Sequence, residues 1–177
     1  MLQLNSVANV GVHRTCTPLY EMDEATPYNT FLDPSDTTNI YSGMVMYRSG
    51  PDTVANAGSV ATVSGAKPFG LSCLDRNPNI DDVTQVGINS WAVWLGGSNA
   101  FFTITAPAFD TTVAYTITTS GTRTYLYTAS GTGQLTSASG TSASAGTICA
   151  VPVAELIDVI SPTQIVVRLA NGLATAN

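Results

Sequence analysis

The chain has 177 residues, a net charge of −6, and only 10% charged side chains beside 44% hydrophobic ones. A globular protein carries roughly 25% charged residues on average, and here Thr, Ser, Gly and Asn stand in their place. The cations Arg14, Arg48, Lys67, Arg76, Arg123 and Arg168 are scattered, with no basic footprint to neutralise phosphates, which argues against nucleic acid and against an anionic membrane surface.

This length fits one domain, with or without an extended arm, and suffices for a hydrophobic core without disulfides or metals. Low charge with ordinary hydrophobicity is not the composition of a disordered chain. It suits a protein that buries much of its surface against other subunits, and it suits secreted β-proteins equally. Cys16, Cys73 and Cys149 are far apart and odd in number, which reads as free thiols in a reducing compartment. The opening residues lack a basic and then apolar leader, and no apolar run reaches the about 18 residues of a membrane span. The expectation is a protein made in a cytoplasm and soluble until it assembles.

Residues 1–40 read as an irregular, extended arm, because Pro18, Pro27 and Pro34 interrupt any helix. The carboxylates Glu21, Asp23 and Glu24 lack the alternating oxygen ligands and bend glycine of a calcium loop, as do Asp33 and Asp36. Ile40–Tyr47 is the first expected core strand, closed by a turn over Arg48–Asp52. Ser59–Ser64 alternates polar and apolar like a half-buried strand. Ala66–Leu71 reads as a tight turn anchored by Phe69 and Leu71, and Asp75–Asp82 as a polar loop. Asn89–Leu95, Phe101–Thr105, Val113–Thr118 and Thr122–Tyr127 are expected strands, the last two forming a hairpin across Thr119–Gly121. Residues 128–147, almost all Thr, Ser, Gly and Ala, read as a flexible surface loop. An apolar run over 148–160, a turn at Ser161–Thr163 and a strand over Gln164–Leu169 close the chain. No amphipathic helical period persists beyond about two turns, so the fold is mainly β.

Catalytic chemistry finds little footing. His13 is the single histidine, in the arm, where a surface role outweighs acid–base work. The nucleophile elbow G-x-S-x-G and the phosphate-binding glycine loops are absent. Asp75, Asp81, Asp82 and Asp110 are the carboxylates from which a glycosidase pair, roughly 5–10 Å apart, would have to come, but solvated loop residues is the better reading. Trp91 and Trp94 are three apart and so face opposite sides of a strand. An outward Trp is a contact or sugar-platform candidate; the alternative is that both are core or at a subunit boundary.

Several stretches together resemble a known family. They are the turn Lys67-Pro68-Phe69-Gly70-Leu71, the Trp-rich strand ending in Gly96-Gly97, and Tyr127, Gly131, Gly133, Leu135 and Thr136. The run from Ala150 to Val159 and the strand Ile165–Leu169 complete the set. Over roughly residues 40–170 the chain is similar to the head decoration, or cement, proteins of tailed bacteriophages.

That resemblance implies a compact β-sandwich or barrel-like domain over 41–177, preceded by an N-terminal arm over 1–40 that contacts the capsid or neighbouring subunits. It implies binding to the outer capsid surface, bridging of major capsid protein subunits, and a homotrimer on the virion after assembly in the host cytoplasm. No catalytic residue, cofactor or metal is carried over, and nucleic acid and membrane are not expected partners. The candidate interface side chains are Tyr20, Tyr28, Phe31, Trp91 and Trp94. The alternatives are a fibre or sugar-binding module for host attachment and another minor virion component of tail or neck, with a cell-wall hydrolase well behind.

Overall fold

In the computed structural model, residues 16–18, 27–76, 90–95, 101–117, 122–137 and 147–169 are described. They form eleven strands: β1 (Cys16–Pro18), β2 (Pro27–Leu32), β3 (Val45–Arg48), β4 (Thr53–Asn56), β5 (Pro68–Ser72), β6 (Ser90–Trp94), β7 (Phe101–Thr105), β8 (Tyr125–Thr128), β9 (Leu135–Thr136), β10 (Ala154–Ser161) and β11 (Gln164–Leu169). The mainly-β expectation holds, with a barrel in it. Strands β2-β4-β3-β5-β6 close on themselves, and β1-β7-β11-β10-β8-β9 make an antiparallel sheet.

The barrel is contiguous in sequence from β2 to β6. The sheet takes β7 to β11 and then recruits β1 from the other end of the chain, Cys16 pairing with Ile104 and Pro18 with Phe102. The described stretches of the expected arm, 16–18 and 27–40, are instead part of the folded body. Strands β1 and β2 join the two sheets, β2 lying between β4 and β6, and Ile40 is fully buried in the barrel core and bridged to Arg76. The rest of the arm before residue 27 lies outside the described residues.

Alternation explains which faces are buried. In β7, Phe102 and Ile104 are fully buried while Phe101, Thr103 and Thr105 are only partly so. In β11, Ile165, Val167 and Leu169 point the same way. The larger core joins these to Val45, Leu71 and Trp94 of the barrel, so the sheet packs against the barrel wall. A smaller core of Leu32, Ile40, Met46, Val54, Trp91 and Val93 fills the barrel itself. Period-2 patterning supplies both, since each strand has two faces and β6 buries both of them.

Several expected elements form differently. Ser59–Ser64 is not a strand: a 3-10 turn runs over Ala57–Val60, started by Asn56, whose side-chain oxygen accepts the Gly58 N–H at 2.7 Å. A local cap satisfies the backbone before any ladder can. Residues 113–117 keep the alternation, with Val113 and Tyr115 half-buried between exposed neighbours, yet they join no strand. The expected hairpin partner, β8, already has β9 on one edge and β10 on the other. The segment is held by side chains: Thr124 Oγ1 donates to the Thr116 carbonyl at 3.0 Å, Ser137 Oγ to the Ala114 carbonyl at 2.6 Å, and Tyr115 Oη to the carbonyls of Asp110 and Leu135. Residues 66–71 are mostly strand β5, in which Leu71 is fully buried and Phe69 half-buried. The expected loop at 128–147 contains β9, and residues 138–146 of it lie outside the described residues.

Asn56 ties barrel to sheet. Its N–H donates to Asp36 Oδ2 at 2.6 Å, and its amide nitrogen donates to the Thr132 carbonyl at 3.1 Å. Around it the Val45 N–H reaches the Gly133 carbonyl at 2.8 Å and the Gly131 N–H reaches the Gly58 carbonyl at 3.0 Å. The β8–β9 turn is thereby locked to the start of β3 and to the 3-10 turn.

Candidate interface at the barrel mouth

Along β2, Thr30 and Leu32 are buried, with Leu32 in the barrel core, and by alternation Tyr28 points the same way at the strand's open end. Along β3, Met46 is interior and Arg48 follows it by two. In β5 the pairing slips, Met46 opposing Gly70 and Tyr47 opposing Pro68, so Phe69 is the bulged residue and packs on the barrel core. Antiparallel pairing through β6 puts the start of β2, the end of β3 and the start of β5 at one end of the barrel.

Tyr28, Arg48 and Phe69 therefore meet over that mouth. The rings of Tyr28 and Phe69 are edge-to-face, 5.7 Å apart at 83°. The Arg48 guanidinium lies 5.4 Å from the Phe69 centroid, and its Nη2 donates to the Pro51 carbonyl. Tyr28 remains 42% exposed despite this packing. On the other face of the same strand, Phe31 is 53% exposed, opposite Thr53 and Ser90. These two of the expected interface residues do lie at the surface, though on opposite sides of β2.

Trp91 and Trp94 do not. They point to opposite faces of β6 as their spacing requires, but both faces are covered. Trp91 sits inside the barrel and donates from Nε1 to Ser72 Oγ at 3.1 Å. Trp94 faces the sheet and packs on Phe102, centroids 5.4 Å apart. An outward-facing Trp on this strand is thus corrected: Trp91 is 4% exposed and Trp94 7%, because β6 lies between barrel interior and sheet. Tyr20 lies outside the described residues.

The carboxylates are scattered. Asp75 accepts the Ser42 N–H at 2.5 Å, Asp110 accepts the N–H and hydroxyl of Thr112, and Asp81 and Asp82 lie outside the described residues, as does His13. Asp33 is held below the usual carboxylate range, first by the Ser35 hydroxyl and then by the Ser35 N–H. Tyr47 and Tyr115 are pushed up by burial, which leaves both phenols protonated. Among the described residues, no three of the His, Cys, Asp and Glu side chains come together in a way that could hold a metal. On the outer face of the sheet, Glu155 is paired with Arg168 and lies 3.6 Å from Arg123. Arg48 and Phe69 were not legible as site residues, since only barrel closure and the β5 slip bring them beside Tyr28.

The described residues thus form a mainly β protein that presents aromatic side chains and a cation held over a ring at its surface. The family described as phage cement protein matches residues 2–177, and the chain belongs to that family: it is a capsid-associated structural protein of the virion. No curated protein and no solved structure matches the chain.

Proposed function

We propose that the protein binds the outer surface of the phage capsid and stabilises it, without catalysis, by bridging neighbouring major capsid protein subunits. The match to the cement family over residues 2–177 carries this reading. The homotrimer and assembly in the host cytoplasm belong to the same proposal. Tyr28 and Phe31 serve as contact side chains, supported by their exposure on a packed strand. In this reading residues 1–15 and 19–26 contact the capsid or neighbouring subunits. Many copies each adding a modest contact stabilise a shell through avidity and through preferential binding of the intact state. Sugar binding through Trp91 and Trp94 lacks support, because neither ring is accessible.

Light scattering on the purified protein, followed by mixing with capsids stripped of it, tests the reading. A trimer that rebinds and raises the temperature at which capsids burst is the expected result. A monomer that ignores capsids overturns it, and a larger ring points to a tail or neck component.

A further inference from the structure

The barrel mouth holds a cation that no carboxylate among the described residues pairs with. Of the chain's six Lys and Arg residues, Arg14 lies outside the described residues, Arg123 and Arg168 share Glu155, Arg76 is buried and donates to the Asp36 carbonyl, and Lys67 is exposed just before β5. Arg48 is exposed, and among the described residues no carboxylate pairs with it. It is nevertheless held: Phe69 lies beneath the guanidinium and the Pro51 carbonyl takes one N–H. With Phe69 on one side and one N–H taken by Pro51, the guanidinium keeps further N–H donors, in the fork that matches a carboxylate. Tyr28, edge-on to the same Phe69 ring, forms an exposed apolar flank that a docked partner would cover. Covering it strengthens a charge-assisted bond, because water is removed from around the pair. Little side-chain entropy is then left to lose on binding.

We propose that Arg48 is the polar anchor of the docking surface and receives an Asp or Glu side chain from the outer face of the major capsid protein, with Tyr28 and Phe69 packing around the pair. This rests on the capsid-binding reading above. Charge complementarity sets the chemistry of the occupant, a carboxylate, and the capsid-binding reading assigns that carboxylate to the major capsid protein. A carboxylate from a second copy is the alternative that the self-association measurement tests.

The test compares wild type with Arg48→Glu and Arg48→Lys for binding to stripped capsids over a range of NaCl concentrations. Thermal unfolding and sedimentation of each free protein are followed alongside. Arg48→Glu is expected to weaken capsid binding roughly 10- to 100-fold and to flatten its salt dependence, while Arg48→Lys recovers part of the affinity. Unfolding temperatures of the free proteins stay together, as the side chain is exposed. Wild-type affinity in Arg48→Glu overturns the anchor while leaving capsid binding standing. Wild-type protein that does not bind capsids overturns the docking reading and the anchor with it. Loss of self-association in Arg48→Glu with capsid affinity intact assigns the carboxylate to a second copy and overturns the capsid assignment.

Discussion

Gly131 and Gly133 lie in the turn between β8 and β9 with φ of +84° and +76°. Their surroundings differ. A Cβ on Gly131 would meet nothing within 4 Å, whereas one on Gly133 would sit inside the carboxamide of Asn56. Gly131→Ala is therefore expected to cost only the left-handed backbone penalty, about 1 kcal/mol. Gly133→Ala carries that penalty and also displaces the Asn56 side chain, which caps the 3-10 turn at Gly58 and joins barrel to sheet through the Thr132 carbonyl. A loss of roughly 3 kcal/mol or more is expected there, in the range reserved for strained and network-breaking substitutions. Urea unfolding of the two variants checks the difference; equal losses would show that the Asn56 contact carries no weight.

Strand β10 has an uneven neighbourhood. On one side β11 pairs with it along its length, but on the other β8 pairs only with Ala154 and Glu155, followed by the Leu156 N–H to the Thr124 carbonyl. Among the described residues the edge from 157 to 161 is open, and Ile160 there is 53% exposed. Open edges template aggregation unless guarded. The guards are two register shifts, between Leu156 and Asp158 and between Val159 and Ser161, and the exposed Asp158, whose Oδ1 accepts the Val159 N–H at 2.8 Å. Asp158→Val removes the charge and frees that donor. It is expected to give time-dependent association visible by light scattering, while Asp158→Lys, which keeps a charge on the edge, holds the native mass. A monodisperse Asp158→Val would mean that the bulges alone suffice.

Taken whole, the molecule has a core that crosses between its two sheets, so barrel and sheet are expected to unfold together. Trp94 is the test, since it belongs to a barrel strand and packs on Phe102 of the sheet. Trp94→Ala is expected to lower stability by roughly 3–5 kcal/mol, as large core truncations do. Tryptophan fluorescence and far-UV dichroism should still trace one transition; two separated transitions would mean that the sheets are independent. Trp94→Phe is expected to cost far less, because the indole N–H it removes has no partner among the described residues.

Much of this architecture was readable before any coordinates. Phe101–Thr105 and Gln164–Leu169 alternate or cluster β-branched and aromatic side chains, and both are strands where expected. The opposite orientation of Trp91 and Trp94 follows from the two-residue period alone, and the turn glycines sit where the resemblance motif placed them. Period, propensity and positive-φ demand are local properties, and the chain carries them residue by residue. Tertiary structure decided whatever depends on a partner distant in sequence. Residues 113–117 alternate but join no strand among the described residues, because β9 and β10 occupy both edges of β8. Trp91 and Trp94 are both buried because β6 has a barrel on one face and a sheet on the other. Arg48, Phe69 and Tyr28 form a rim only because the barrel closes. Alternation tells which side chains share a face, but what covers that face is set by long-range packing.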